Sequence, residues 1–108
     1  MSRSQSKLSV TVAREGEQTV LALAGELDVY TSAVFRERVV DLVHDSRLHL
    51  VVDLAEVQFV DSTGLGALVT ELKSVRRRGG DMVLRAPTPT VRRTIEIIGL
   101  DRALPISE

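Results

Sequence analysis

Six consecutive residues, Asp61-Ser62-Thr63-Gly64-Leu65-Gly66, hold the chemistry on which this sequence turns. Just upstream, the apolar run Leu50-Val51-Val52 ends in Asp53-Leu54, and a helical pattern opens at Ser62. A strand that feeds a helix through small polar residues is where α/β domains commonly place a site. A hydroxyl at such a helix start can serve in two ways. It can accept a hydrogen bond from a first-turn amide and act as a cap. It can also carry a phosphate, because free amides and the positive end of the helix stabilise an exposed anion by ~0.3–1 kcal/mol. Spacing alone leaves Ser62 open between these roles. Thr63 is the rival acceptor, ranked second because its branched Cβ and its place inside the first turn predict poorer access. Gly64 and Gly66 each cost a helix roughly 1 kcal/mol relative to Ala. They predict either tight packing on a sheet or the close approach of another backbone or a bulky ligand. Asp61 also fits a simple turn residue, and Asp53, at a strand end, reads as structural.

The elements that must position these residues follow from periodicity. Leu8, Val10 and Val12 alternate with polar or small residues, which predicts a half-buried strand. The turn Arg14-Glu15-Gly16-Glu17 and the nearly continuous apolar stretch 20–24 predict a hairpin whose second strand is covered on both faces. Thr31 is the expected N-cap of a helix running to about Asp45, with Val34, Phe35, Val39, Leu42 and Val43 at helical spacing. Residues 48–54 read as a central strand, followed by a short connection. The helix after Ser62 carries Leu65, Leu68, Val69, Leu72 and Val75 on one face and stops at Gly79-Gly80. Met82-Val83-Leu84 is a short strand. Thr88-Pro89 starts a third helix with Val91, Ile95 and Ile98 on one stripe and Gly99 as its end. Leu104-Pro105-Ile106 fits a short edge strand. The order β-β-α-β-α-β-α-β predicts an α/β fold, a mixed four- to five-stranded sheet with helices packed largely on one face.

Composition narrows the function. The chain has 108 residues, enough for one domain with one core. Aromatics are 3 %, which leaves few platforms for stacking on nucleic acid, and the formal net charge of −1 gives no global field to attract DNA or an anionic membrane. There is no cysteine, so no thiol chemistry. No apolar run nears the ~20 residues of a membrane span, and MSRSQSK reads as a frayed polar tail rather than a signal peptide. His44 and His49 lack partners at zinc-ligand spacing, and Arg76-Arg77-Arg78 reads as charge complementing a helix C-terminus. There is no G-x-x-x-x-G-K-[ST] loop and no credible Ser-His-Asp set. The expectation is a binding protein, not an enzyme, with no metal and no cofactor.

Gly25-Glu26-Leu27-Asp28, Asp53-Leu54 with Phe59 beyond it, the DSTGLG segment at 61–66, Gly79-Gly80 and Ile98-Gly99-Leu100 together resemble the STAS-domain anti-sigma factor antagonists of the SpoIIAA/RsbV/BldG type. The resemblance covers about residues 8–106, and DSTGLG is its specific part. It implies a disordered tail at residues 1–7 and a single STAS domain at 8–108, with the usual C-terminal helix missing. It implies that Ser62 is phosphorylated by an anti-sigma factor that is itself a serine kinase. The unphosphorylated protein would bind that kinase and free a sigma factor, and a phosphatase acting on phospho-Ser62 would reset it. Asp28 and Asp61 would lie beside Ser62, orienting its hydroxyl or a magnesium-bound nucleotide held by the kinase. The partner-binding set is Asp28, Asp61, Ser62, Thr63, Gly64, Leu65 and Gly66. No direct contact with nucleic acid or membrane is implied, the location would be cytoplasmic, and a weak homodimer is left open. Two other readings remain: a nucleotide-binding domain with DSTGLG around a phosphate, and an unphosphorylated interaction subunit of a larger assembly.

Overall fold

The computed structural model describes residues 6–43 and 48–107. Five strands, β1 (Leu8–Glu15), β2 (Gln18–Leu27), β3 (His49–Val60), β4 (Asp81–Arg85) and β5 (Ile106–Ser107), form one sheet in the order β1-β2-β3-β4-β5. The helices are α1 (Ser32–Leu42), α2 (Ser62–Arg77) and α3 (Pro89–Ile98). The first two strands run antiparallel and every other pairing is parallel, so the expected mixed sheet is present. Glu15 pairs with Gln18 across a two-residue loop in which Gly16 takes φ 63°. Positive φ at the first loop position suits a hairpin whose strands twist together, and glycine adopts it without penalty.

One apolar cluster ties the helices to the sheet. Phe35 and Val39 of α1, Leu65, Leu68, Leu72 and Val75 of α2, and Val91 and Ile95 of α3 pack with Leu21, Leu23, Leu50, Val52, Leu54, Met82 and Leu84. Alternation sends the partners of these strand residues to the other face. There Val20 and Val51 are also buried, as expected of a strand covered on both sides. Arg85 crosses that face to reach Asp53 at 3.0 Å and Glu15 at 3.1 Å.

Several expectations need correction. β3 does not end at Leu54 but continues to Val60, so no short connection separates strand from site. Its pairing with β2 moves from Ala22↔Asp53 to Ala24↔Glu56, and from Gly25↔Val57 to Glu26↔Phe59. Each step spends one extra residue on β3, which makes two bulges. They turn the inward positions into Leu54, Val57 and Val60, a three-residue spacing that does not read as strand. Val12 is 45 % exposed because β1 is an edge, and Val34 is 41 % exposed on α1. Ile98 leaves the core stripe at 45 % exposure. Gly99 turns at φ 86°, Leu100 N–H donates to Ile95 O, and Leu100 packs against the core in its place. The described part of α1 ends at Leu42, and the expected end near Asp45, like His44, lies outside the described residues. So do residues 1–5 of the expected tail; Lys7, by contrast, accepts from Glu26 N–H at 2.9 Å and donates its own N–H to the Glu26 carboxylate.

Candidate functional site

β2 and β3 run parallel and end side by side at Leu27 and Val60, and α2 starts two residues after Val60. Asp61, in extended conformation, is the N-cap, and its Oδ1 accepts from Gly64 N–H at 2.8 Å. The cap role left open for Ser62 therefore belongs to its neighbour. Ser62 is the first residue of the helix, and its side chain is exposed. Thr63 is exposed as well, so it is not the sheltered residue that its branching suggested.

The two glycines separate cleanly. A Cβ on Gly64 would sit 2.1 Å from Leu27 O and 2.9 Å from Val60 Cγ2. The first turn of α2 thus lies directly on the strand ends, and the backbone that approaches Gly64 is the protein's own. Gly66 is exposed, with nothing within 4 Å of such an atom. Leu65 is fully buried and belongs to the core. Of the residues expected to bind a partner, Gly64, Leu65 and Asp28 are buried in the chain itself. They position the site, while Ser62, Thr63 and Gly66 stand at its surface.

Asp28 is 1 % exposed and holds the turn between β2 and α1. Its Oδ1 accepts from Tyr30 N–H at 2.9 Å and Thr31 N–H at 3.1 Å. Thr31 sits at the N-cap position of α1, but its hydroxyl does not cap that helix. It donates to Glu26 O at 2.7 Å and accepts from Asp28 N–H. Burial pushes the Asp28 carboxyl up, but hydrogen bonds from the Ser6 and Thr31 side chains and the two amides outweigh it and leave it below the usual carboxylate range. The same turn is tied to α2, since Asp61 Oδ2 accepts from Val29 N–H at 3.2 Å. One carboxylate thus clamps the head of α2 and the 28–31 turn together. The turn presents Val29 and Tyr30, 56 % and 51 % exposed, and Phe59 near the end of β3 is 41 % exposed.

Two features escaped the sequence reading. Val29 and Tyr30 are apolar residues in a loop, and that was the available signal. Glu71 is buried on α2, and its carboxylate pairs with Arg36 Nε of α1 at 3.1 Å. Its signal was a charge three residues after Leu68 and four before Val75, on the apolar stripe itself. Asp53 is structural as expected, accepting from Ala55 N–H at 2.9 Å besides its pair with Arg85. In the basic run, Arg76 pairs with Asp81 at 2.9 Å. Among the described residues, no group of three or more His, Asp or Glu is placed to hold a metal ion. No helix among them is long and apolar enough to cross a membrane.

Fold and site together define a small mixed-sheet α/β domain that presents hydroxyls at the head of a helix docked on its strand ends. The chain belongs to the STAS domain family, whose model matches residues 9–108. It is 34 % identical over 100 residues to the anti-sigma-B factor antagonist of Bacillus subtilis, covering 93 % of this chain and 91 % of that one. It is 34 % identical over 95 residues to the anti-sigma-F factor antagonist RsfB of Mycobacterium tuberculosis, covering 88 % and 77 %. A crystal structure of an anti-sigma factor antagonist from Mycobacterium paratuberculosis superimposes with a TM-score of 0.82 at 28 % identity, covering 97 % of this chain and 87 % of that one.

Proposed function

We propose that this protein is an anti-sigma factor antagonist controlled by a phosphate on Ser62. In its unphosphorylated form it binds an anti-sigma factor that is a serine kinase, and a sigma factor is released. Phosphorylation of Ser62 ends that binding, and a phosphatase restores it. The protein is the kinase's substrate and a regulator rather than an enzyme, working in the cytoplasm. The names of its relatives support the antagonist reading. The observation that carries the phosphate reading is the division of labour at the helix head. Asp61 supplies the cap, so the Ser62 hydroxyl is exposed and free of that duty. A phosphate of charge about −1.5 to −2 at this place faces the positive end of α2 and leaves the helix folded. Its effect falls on whatever protein covers Val29, Tyr30, Ser62 and Gly66.

The test is intact-mass measurement after incubation with ATP and the kinase recovered from the protein's own cells. Wild type gains one phosphate, Ser62→Ala gains none, and Thr63→Ala behaves as wild type. A phosphate that persists in Ser62→Ala and disappears in Thr63→Ala moves the acceptor to Thr63. No modification of wild type by a kinase that binds it removes the switch.

A further inference from the structure

Among the described residues β1, eight residues long, is the outermost strand of the sheet and has a neighbour on one side only. The hairpin fixes which way its backbone groups point. Across a two-residue loop the closing pair, Glu15 and Gln18, is a hydrogen-bonded one, and such pairs recur at every second residue. Glu15, Ala13, Thr11 and Ser9 therefore turn their N–H and C=O groups toward β2. At the other end Lys7 O accepts from Glu26 N–H, in phase with this. Leu8, Val10, Val12 and Arg14 consequently turn theirs outward. Among the described residues, no backbone hydrogen bond reaches these outward groups. Over Leu8–Ala13 the strand lacks proline, charge and any bulge in its pairing with β2, and its two charges, Arg14 and Glu15, sit at the hairpin end.

We propose that this edge pairs antiparallel with β1 of a second copy of the chain, about a two-fold axis at Thr11, to give one continuous ten-stranded sheet from two five-stranded ones. Hydrogen-bond phase requires the axis to pass through a residue of β1, and charge selects Thr11 among them. With Thr11 on the axis, Lys7 falls opposite Glu15 of the second copy, and Glu15 opposite its Lys7, so that each lysine adds a second cation to a carboxylate that Arg85 already holds at 3.1 Å. Val10 falls opposite Val12, Ser9 opposite Ala13, and Leu8 opposite Arg14. Every outward residue then faces another outward residue, so each unpaired N–H and C=O finds a partner. Moving the axis to Val10 keeps that phase but loses the Lys7–Glu15 match and shortens the overlap, and moving it to Val12 sets Glu15 opposite Ser9 and loses the match as well. The 45 % exposure of Val12 is explained by the same register, because the Val10 that it meets lies on its own face of the sheet. The contact is isologous and closes on itself, so it makes a dimer and not a fibre. It lies on the edge strand and leaves Ser62, at the ends of β2 and β3, uncovered, so it does not depend on the proposed function.

The test uses the absence of cysteine from the chain. Thr11→Cys places two thiols on the axis in a non-hydrogen-bonded pair, the closer kind, with Cα atoms about 4.5 Å apart and within the range of a disulfide. Ser9→Cys places its two thiols about 13 Å apart along the strands, beyond reach. Under mild oxidation Thr11→Cys forms a covalent dimer and Ser9→Cys does not. Sedimentation of the full chain shows dimer growing with concentration. Thr11→Lys, an exposed side chain whose backbone bonds to β2 are untouched, sets like charges face to face and raises the dissociation constant by up to about five-fold with unchanged circular dichroism. Equal cross-linking of the two cysteine variants, or wild type that stays monomeric at the highest soluble concentration, overturns the proposal.

Discussion

Gly64→Ala and Gly66→Ala change the same residue type in the same helical turn, and the structure gives them opposite signs. A Cβ on Gly64 meets Leu27 O at 2.1 Å, Leu27 C at 2.8 Å and Val60 Cγ2 at 2.9 Å. Ordinary contact begins near 3.4 Å, so the helix or the strand end must move by more than an ångström. Leu27 O cannot yield easily, since it also accepts from Asp61 N–H at 3.3 Å. Overpacking of this kind costs about 1–3 kcal/mol and more where backbone is the obstacle, which exceeds the roughly 1 kcal/mol that alanine returns in helix propensity. Gly66 has open space and collects that propensity in full. For a domain of this size about 1 kcal/mol moves Tm by ~4–8 °C. Gly66→Ala is therefore expected to raise Tm by that amount, and Gly64→Ala to lower it by at least as much, both read by circular dichroism on the purified chain. Shifts of the same sign, or a neutral Gly64→Ala, would refute the close approach on which the helix-head geometry rests. The pair also separates stability from binding. If a partner covers Gly66, its alanine variant binds more weakly while melting higher.

Two further outcomes bear on the site. Ser62→Asp is expected to weaken kinase binding and Ser62→Ala to preserve it, because charge and not the missing hydroxyl breaks the contact; calorimetry giving equal affinities would dismiss that cause. Asp28 has a folded pKa below its ordinary value, so its contribution to stability is present in full above the unfolded pKa of about 3.9 and is lost as pH falls through the lower folded value. In urea titrations the gap between wild type and Asp28→Asn should hold constant near neutrality and close only below about pH 4; a gap that closes near pH 6 would point to another group.

What the sequence revealed depended on whether one period held. The α2 stripe was legible because Leu65, Leu68, Leu72 and Val75 keep helical spacing despite Glu71 among them, and all four are buried. Thr88-Pro89 and Gly99 were legible because caps are chosen locally; Thr88 Oγ1 does accept from Val91 N–H. The outer half of β3 was not, since two bulges replace period two by period three and no local signal distinguishes that from a loop. The cap at α2 escaped for a different reason. Asp61 and Ser62 are both good caps, and the choice is made at a distance by Leu27 O, which holds Asp61 N–H in extended conformation. The spacing of Ile98 and Val12 fits inward positions. Their exposure follows from a chain reversal at Gly99 and from the edge position of β1.

The clamp made by Asp61 explains why a charge change at Ser62 can act on a partner without unfolding its host. One oxygen of Asp61 holds Gly64 N–H and the other holds Val29 N–H. A new anion on Ser62 has no capping bond to displace, and the helix end favours its charge by ~0.3–1 kcal/mol. The exposed neighbours Val29 and Tyr30 weigh the other way. A protein that buries them must also strip water from anything beside them. For a neutral hydroxyl that costs about 1–3 kcal/mol at most, and one hydrogen bond offsets it. A phosphate of charge about −1.5 to −2 costs far more unless cations meet it. The unequal cost falls on the complex and not on the free chain, and that inequality is what a switch read by a second protein requires.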